Sequence, residues 1–350
     1  MVWFLSTSFA LNAQTVRDSI LVSERKTDRP LTLHKGQLQF NAAYGISIIS
    51  GEYDNERNIV SLTEKGMASV MHKYYLGIGY GVVDFLQFST ALNYASRGQR
   101  HETRYLWTTY GDVQDIEITE FDEYRGFEDL YLGAVFKFPF NTRTFEIALT
   151  PGIYLPLFSN KPDKPENSIE LSTTQQPTTR ILYHNNHSYG NGILVMEFGT
   201  VAMLRPLRNL NISARVNYRG PYAETKMIRW IHQLDGSVFN YDAIPYLYVL
   251  GNTLDYKIDL SYQAISWFCV TLSWSGRNTT GGWSEVTGYR IKNRDTNLSL
   301  VSLGYEINAT GRLWITESVN VPVYGRNELS PFSINLGISY NLFPFDKKIR

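Results

Sequence analysis

One cysteine, Cys269, stands in 350 residues, which excludes an internal disulfide framework and any zinc site built on several cysteines. Neither sign of charge is in excess, since 33 Lys and Arg balance 33 Asp and Glu at a pI of about 7.0. The chain therefore has no global attraction for nucleic acid or for an anionic membrane surface. Charged residues make up only 19%, below the roughly 25% of soluble domains. No later window supplies the roughly 18 uninterrupted apolar residues of a transmembrane helix. The six histidines are His34, His72, His101, His184, His187 and His232, and only His184 and His187 are close. Metal binding needs further ligands in fixed geometry, so this pair reads as part of a solvated loop. Neither a metal nor a cofactor is expected.

What is abundant is aromatic. There are 24 Tyr, 18 Phe and 7 Trp, or 14% of the chain, together with 26 Gly. That mixture favours β structure with many aromatic surface positions. The dominant pattern is alternation of apolar and polar residues, the mark of a strand with two unlike faces. In 332–342, Phe332, Ile334, Leu336, Ile338, Tyr340 and Leu342 oppose Ser333, Asn335, Gly337, Ser339 and Asn341. In 254–262, Leu254, Tyr256, Ile258, Leu260 and Tyr262 oppose Asp255, Lys257, Asp259 and Ser261. Residues 210–218 repeat the theme.

Residues 1–13, MVWFLSTSFALNA, read as the remnant of an export signal cleaved before Gln14. The polar stretch 14–35 reads as a periplasmic segment or a plug for a lumen, 36–343 as the body of the protein, and 344–350 as a tail. Twelve strands are expected: 36–50, 67–81, 85–97, 126–138, 143–156, 188–203, 209–219, 249–263, 267–276, 295–307, 312–321 and 331–343. Short connections (82–84, 139–142, 204–208, 264–266, 308–311) alternate with longer ones (51–66, 98–125, 157–187, 220–248, 277–294, 322–330). This asymmetry belongs to an all-β transmembrane up-and-down antiparallel barrel, with short periplasmic turns and long extracellular loops. A strand of about 13 residues at roughly 3.3 Å each, tilted near 40°, rises about 33 Å, more than the apolar band of about 25 Å requires. The expected location is the bacterial outer membrane, with outer-membrane lipid as one partner, the barrel-assembly machinery as another, and the N-terminus in the periplasm.

In such a barrel apolar side chains face lipid and polar ones face the lumen. Lumen positions are then Lys137, Glu146, Glu197, Arg215, Asp255, Lys257, Asp259 and Glu306. A slip of one residue would turn Lys257 into the bilayer at a cost of roughly 2–4 kcal/mol. Lys137 with Glu146, and Glu197 with Arg215, are placed for cross-strand ion pairs. Glu317 shares the parity of Leu313 and Ile315, so it faces lipid unless a bulge turns it inward, and the pattern leaves that open. Tyr80, Tyr94, Phe138, Tyr218, Trp267, Trp274 and Tyr340 suit the aromatic girdles. Gly77, Gly79 and Gly81 leave room on the lumen face for a plug or a close backbone approach. The aromatics Tyr105, Trp107, Tyr110, Trp230 and Tyr241 lie in the outer loops, where they would receive a ligand or pack the loops together.

Val321-Pro322-Val323-Tyr324-Gly325-Arg326-Asn327 followed by Ser333–Tyr340 is similar to the closing hairpin of the phenol-degradation-pathway (MetA-pathway) family of outer-membrane barrels, within the long-chain fatty-acid transporter superfamily. Gly126–Ala134, Pro151–Pro156 and Tyr189–Gly192 resemble further family motifs, and the similarity runs from about 126 to 343. The chain departs at its end, where Phe343 is followed by seven residues rather than closing the sequence. The resemblance implies passive uptake of small hydrophobic or aromatic molecules by a channel that is not an enzyme, with 14–35 as a plug. Two other readings stand beside it. One is a non-conducting structural barrel in an envelope complex. The other is an outer-membrane lipase, for which His187, Ser188 and Asn191 are a weak grouping because adjacent residues on an extended chain point apart.

Overall fold

The computed structural model describes residues 25–63, 68–109, 112–139, 142, 144–157, 180–186, 193–222, 225–235, 238–286, 289–292 and 294–342. The signal-like stretch 1–13, residues 14–24, and the grouping of His187, Ser188 and Asn191 lie outside them. Twelve antiparallel strands close into a barrel. They are β1 (Leu38–Tyr53), β2 (Ser69–Val83), β3 (Leu86–Thr109), β4 (Leu130–Lys137), β5 (Phe145–Leu149 and Gly152–Leu155), β6 (Val195–Leu207), β7 (Leu210–Pro221), β8 (Thr253–Ile265), β9 (Phe268–Thr279), β10 (Thr296–Asn308), β11 (Leu313–Arg326) and β12 (Glu328–Leu342). β12 pairs with β1 from Leu38↔Leu342 to Tyr53↔Glu328 and closes the ring. Closure is what a hydrocarbon surround demands, because an open edge there leaves N–H and C=O groups without partners.

The two halves of β5 keep one register against β6, with Leu149↔Thr200 and Gly152↔Glu197. Between them Pro151 contributes no N–H, so only its carbonyl joins the ladder, accepting from Ala134 N at 2.9 Å. β4 begins with a bulge. Tyr94 faces Phe127 and Ala91 faces Tyr131, so three residues of one strand oppose two of the other. The extra residue turns both Glu128 and Asp129 into the interior, where each is buried.

Burial follows the inverted logic of a membrane barrel. Phe198, Leu76 and Leu303 are 64%, 63% and 60% exposed on the outer face. Inside, buried residues are largely polar, among them Gln39, Ser47, Asn211, Ser261, Ser333, Ser339 and Asn341. Two small apolar clusters interrupt this lining. One is Leu31, Ala148, Val201 and Met203, the other Ile49, Leu62 and Met71. Aromatic rings form a row part-way up the wall and groups at the tight-turn rim, where amphipathic rings suit a membrane interface. Tyr44, Tyr74, Tyr94 and Phe127 stand in register on successive strands, with ring centroids 5.2, 6.2 and 5.2 Å apart. At the tight-turn end, Phe85, Phe136 and Phe138 form one group and Trp267, Phe268 and Tyr305 another. Tyr80, Tyr218, Trp267, Trp274 and Tyr340 are exposed on the outer face.

Two expectations need correction, and one open point is settled. The connections 98–125, 220–248 and 277–294 are not irregular loops. They carry β-hairpins built from Leu86–Thr109 with Asp112–Phe127, from Thr225–Asp235 with Val238–Val249, and from Trp283–Val286 with Tyr289–Lys292. Their β-branched and aromatic residues favour a ladder that satisfies the backbone better than an open loop would. The connection 322–330 shrinks to Asn327, whose φ of 50° gives the left-handed turn that Asn tolerates. The open point is Glu317, which does not turn inward. β11 keeps one register against β12 from Leu313 to Asn320, and its bulge lies beyond, next to Val323. The Glu317 carboxylate accepts a hydrogen bond from the outward Tyr305 hydroxyl, which supplies the polar partner that lipid cannot.

Leu303→Arg, on the outer face in mid-strand, is expected to destabilise the lipid-embedded barrel by about 2–4 kcal/mol. Ser302→Arg, one residue away and facing the cavity, is expected to cost far less. Urea unfolding in vesicles followed by tryptophan fluorescence compares the two, and equal costs would contradict the assignment of faces.

Candidate functional site

The chain's own N-terminal segment lies inside the barrel at the tight-turn end. Residues 25–37 cross the barrel interior there. Thr27 Oγ1 donates to the Arg208 carbonyl in the β6–β7 turn at 3.0 Å. On the other side, Thr32 Oγ1 donates to the Asp84 carbonyl in the β2–β3 turn at 2.7 Å. Arg29 is 1% exposed, meets Glu306 at 2.6 Å and stacks 4.1 Å from the centroid of Trp314. Lys26 joins the same carboxylate at 3.8 Å and donates to Thr271 Oγ1 at 3.1 Å.

A second clasp holds the backbone itself. Arg205 donates to the carbonyls of Thr27 (2.8 Å) and Arg29 (2.5 Å), and pairs with Glu146 at 3.3 Å. Glu146 in turn accepts the N–H of Leu31 at 2.7 Å. Leu31 packs on Ala148, Val201 and Met203, with Val135 against them. Further along, Leu33 N donates to Gln87 Oε1 (3.0 Å), Gly36 N to the Gly81 carbonyl (2.7 Å), and Gly81 N to the Gln37 carbonyl (2.9 Å). Gly81 must lack a side chain, because a Cβ there would collide with the backbone of Leu33 and His34. Burial, aided by nearby Lys137, outweighs Asp84 and holds the His34 imidazole below its ordinary value of 6.5.

Towards the other end, charged side chains form a layer across the lumen. Asp255 on β8 takes hydrogen bonds from Arg219 on β7 and from Arg277 on β9, the latter at 2.7 Å. Arg219 also lies 3.7 Å from Glu197 on β6. Glu197 accepts from Tyr131 on β4 (3.3 Å) and Tyr154 on β5 (3.1 Å), whose rings are 5.0 Å apart. Lys73 on β2 meets Glu128 at 2.6 Å. Below this layer, Lys257 meets Asp259 at 2.7 Å, and Ser273 donates to the same carboxylate at 2.5 Å. Buried charges persist only when paired and hydrogen-bonded.

The layer separates two cavities. A chamber of ≈ 230 Å³ lies between it and the N-terminal segment, reached by Lys26, Leu31, Tyr75, Arg215, Lys257 and Glu306. An outer vestibule of ≈ 210 Å³ opens beyond it, lined by Tyr154, Arg219, Arg277, Thr280, Arg294 and Glu328.

Of the residues picked out in the sequence, Glu197, Arg215, Asp255, Lys257, Asp259 and Glu306 line the chamber. Glu146 is buried beneath the N-terminal segment, and Lys137 shares the inward parity of Val135. Neither of the expected ion pairs forms. The register sets Glu197 opposite Arg219 and Arg215 opposite Val201, while Lys137 faces Ala148. Glu146 therefore meets Arg205 rather than Lys137. Arg29, Lys73, Arg205, Arg219, Arg277 and Trp314 were missed. Arg219 has the inward parity of Arg215 and was legible; Arg205 and Arg277 lie one or two residues past the expected strand ends. Tyr105, Trp107, Trp230 and Tyr241 fall within the outer hairpins, but their side chains, like Tyr110 altogether, lie outside the described residues. His184 and His187 do so as well.

No protein-family model matches the sequence, and no curated protein matches it. Among solved structures, the chain is similar to the COG4313 outer membrane channel from Pseudomonas putida F1, at 10% identity and a TM-score of 0.60 over 89% of this chain and 97% of that one. Looser likenesses reach a mutant of the TodX monoaromatic hydrocarbon channel (10% identity, TM-score 0.47, 88% and 91% covered) and the P. putida toluene transporter TodX (10%, 0.44, 87% and 89%). The fold is that of an outer-membrane β-barrel, which is the fold that the resemblance in sequence implied.

Glu146→Ala would remove a buried carboxylate from Arg205 and the acceptor from the Leu31 N–H, costing the docked segment about 3–5 kcal/mol. Trypsin is expected to cut the folded variant at Lys26 and Lys35 while sparing the parent. Docking also depends on pH. Because the His34 value is lowered in the docked state, its contribution is complete above about pH 7 and is lost as the pH falls below 6.5. Protease sensitivity of the segment should rise between pH 7 and 5, and His34→Gln should flatten that rise.

Proposed function

We propose that this protein is a passive outer-membrane channel for small apolar or aromatic molecules, gated at its periplasmic mouth by residues 25–37. The observation that carries this reading is a closed polar lumen holding a chamber between two removable barriers, the ionic layer and the docked N-terminal segment. Such a chamber admits a molecule of benzene size or larger, since an apolar cavity of about 150 Å³ already binds benzene. The N-terminal segment sits at the end of the tight turns, and short turns on the periplasmic side of such barrels support a periplasmic N-terminus. Uptake then needs no energy source. A solute enters the vestibule, passes the Arg219–Asp255–Arg277 layer, occupies the chamber and leaves when the segment lifts.

The double closure also favours one other reading, a non-conducting barrel that serves an envelope complex. Planar bilayers separate the two. The parent protein is expected to give small, infrequent conductance steps, and Gly81→Val, which forces the segment off β2, should raise them several-fold. Heat-modifiable mobility verifies that the variant is folded. A folded Gly81→Val barrel that stays silent would contradict the channel and favour the structural role.

A further inference from the structure

Among the described residues, one cation in the chamber forms no ion pair. The acidic groups that reach it are already engaged. Glu197 is held by Arg219 and two tyrosines, Asp255 by Arg219 and Arg277, Asp259 by Lys257 and Ser273, and Glu306 by Arg29 and Lys26. Arg215 projects into the same space from β7. Among the described residues it forms neither an ion pair nor a hydrogen bond. Its cross-strand neighbours are Val201 and Lys257, one apolar and the other committed to Asp259.

A second donor faces it. β2 lies five places from β7 in the ring of twelve strands, so Tyr75 approaches from nearly the opposite wall. The Tyr75 ring lies along β2 over Gly77, whose missing side chain makes room for it. The Tyr75 hydroxyl hydrogen-bonds to none of the described residues. Two idle donors, one of them cationic, thus look into one cavity, with Leu31, Val201 and Met203 supplying an apolar wall beside Arg215.

We infer that the chamber binds a small monoanionic carboxylate carried on an apolar or aromatic body, with the carboxylate on Arg215 and a second oxygen within reach of the Tyr75 hydroxyl. A guanidinium suits a carboxylate because its fork of N–H donors matches the two oxygens. The Arg215 guanidinium, which has no ion pair among the described residues, offers one positive charge, and one carboxylate matches it. The apolar wall accounts for the remainder of the ligand, and a cavity of ≈ 230 Å³ holds one ring with its substituent. This inference rests on the channel reading for its biological meaning, but the binding itself does not.

Benzoate and its neutral analogue benzyl alcohol are the probes. Saturation-transfer NMR on the detergent-solubilised full chain should show benzoate bound and benzyl alcohol bound about tenfold more weakly. Arg215→Gln should weaken benzoate about tenfold, as loss of one charge-assisted contact does, leave benzyl alcohol unchanged, and be partly reversed by Arg215→Lys. Tyr75→Phe should weaken benzoate several-fold. In planar bilayers benzoate should block conductance with the same order of potency across these variants. Equal binding of the two probes, or benzoate binding untouched in folded Arg215→Gln, would overturn the inference. Silence in bilayers with Arg215-dependent benzoate binding would overturn the channel reading and leave the site standing.

Discussion

Backbone groups in hydrocarbon find no water to bond with, and each one left unpaired there costs several kcal/mol. The architecture of this chain follows from that cost. The sheet must close, so β12 returns to β1 along their whole length. The faces must invert, so Leu76, Phe198 and Leu303 stand outside while Asn341 and Ser47 are buried within. Where the ladder is imperfect the lumen side absorbs the irregularity. The bulge at Glu128 and Asp129 turns both carboxylates inward, and the one donor missing at Pro151 leaves the register unchanged. Even Glu317, on the wrong face for a carboxylate, is given a hydroxyl partner by Tyr305.

Inversion creates a second constraint. Polar side chains concentrated in a narrow lumen bond extensively to one another. The result is a lattice of ions shared among strands: Arg219 alone touches Asp255 and Glu197 and lies 5.6 Å from the Tyr154 ring. At the tight-turn end the wall cannot satisfy itself, and the N-terminal segment supplies what is lacking. Arg29 answers Glu306, and the backbone of Thr27, Arg29 and Leu31 answers Arg205 and Glu146. The segment is therefore a structural complement of the lumen and, in the proposed function, its lower gate. Arg215 stands apart in this lattice, since among the described residues it forms no ion pair, and that is where a ligand has something to offer.

The strands were legible because period-two alternation is a local property. All twelve segments read from it contain a barrel strand, with ends displaced where an outer hairpin prolongs β3 or a bulge opens β4. The inward set was legible for the same reason: Asp255, Lys257 and Asp259 alternate with Leu254, Tyr256 and Ile258. Pairing was not. Shifting a partner by four residues, from Arg215 to Arg219, preserves parity and is invisible to any pattern along one strand. The outer hairpins were misread because polar, acidic sequence suggests a loop, whereas the ladder between Tyr94–Thr109 and Asp112–Phe127 satisfies the backbone whatever the side chains prefer.

The amino-acid order by itself determined the class of element, the number of wall strands and the side of the wall on which each residue stands, since these depend only on neighbours within a few positions. Tertiary closure decided which charge meets which, and that residues 25–37 lie across the lumen. It also left Arg215 and Tyr75 facing one cavity from opposite walls. Those outcomes join residues far apart in the chain, such as Gln37 with Asn341 at 2.6 Å. No local pattern encodes the curvature and register that bring them together.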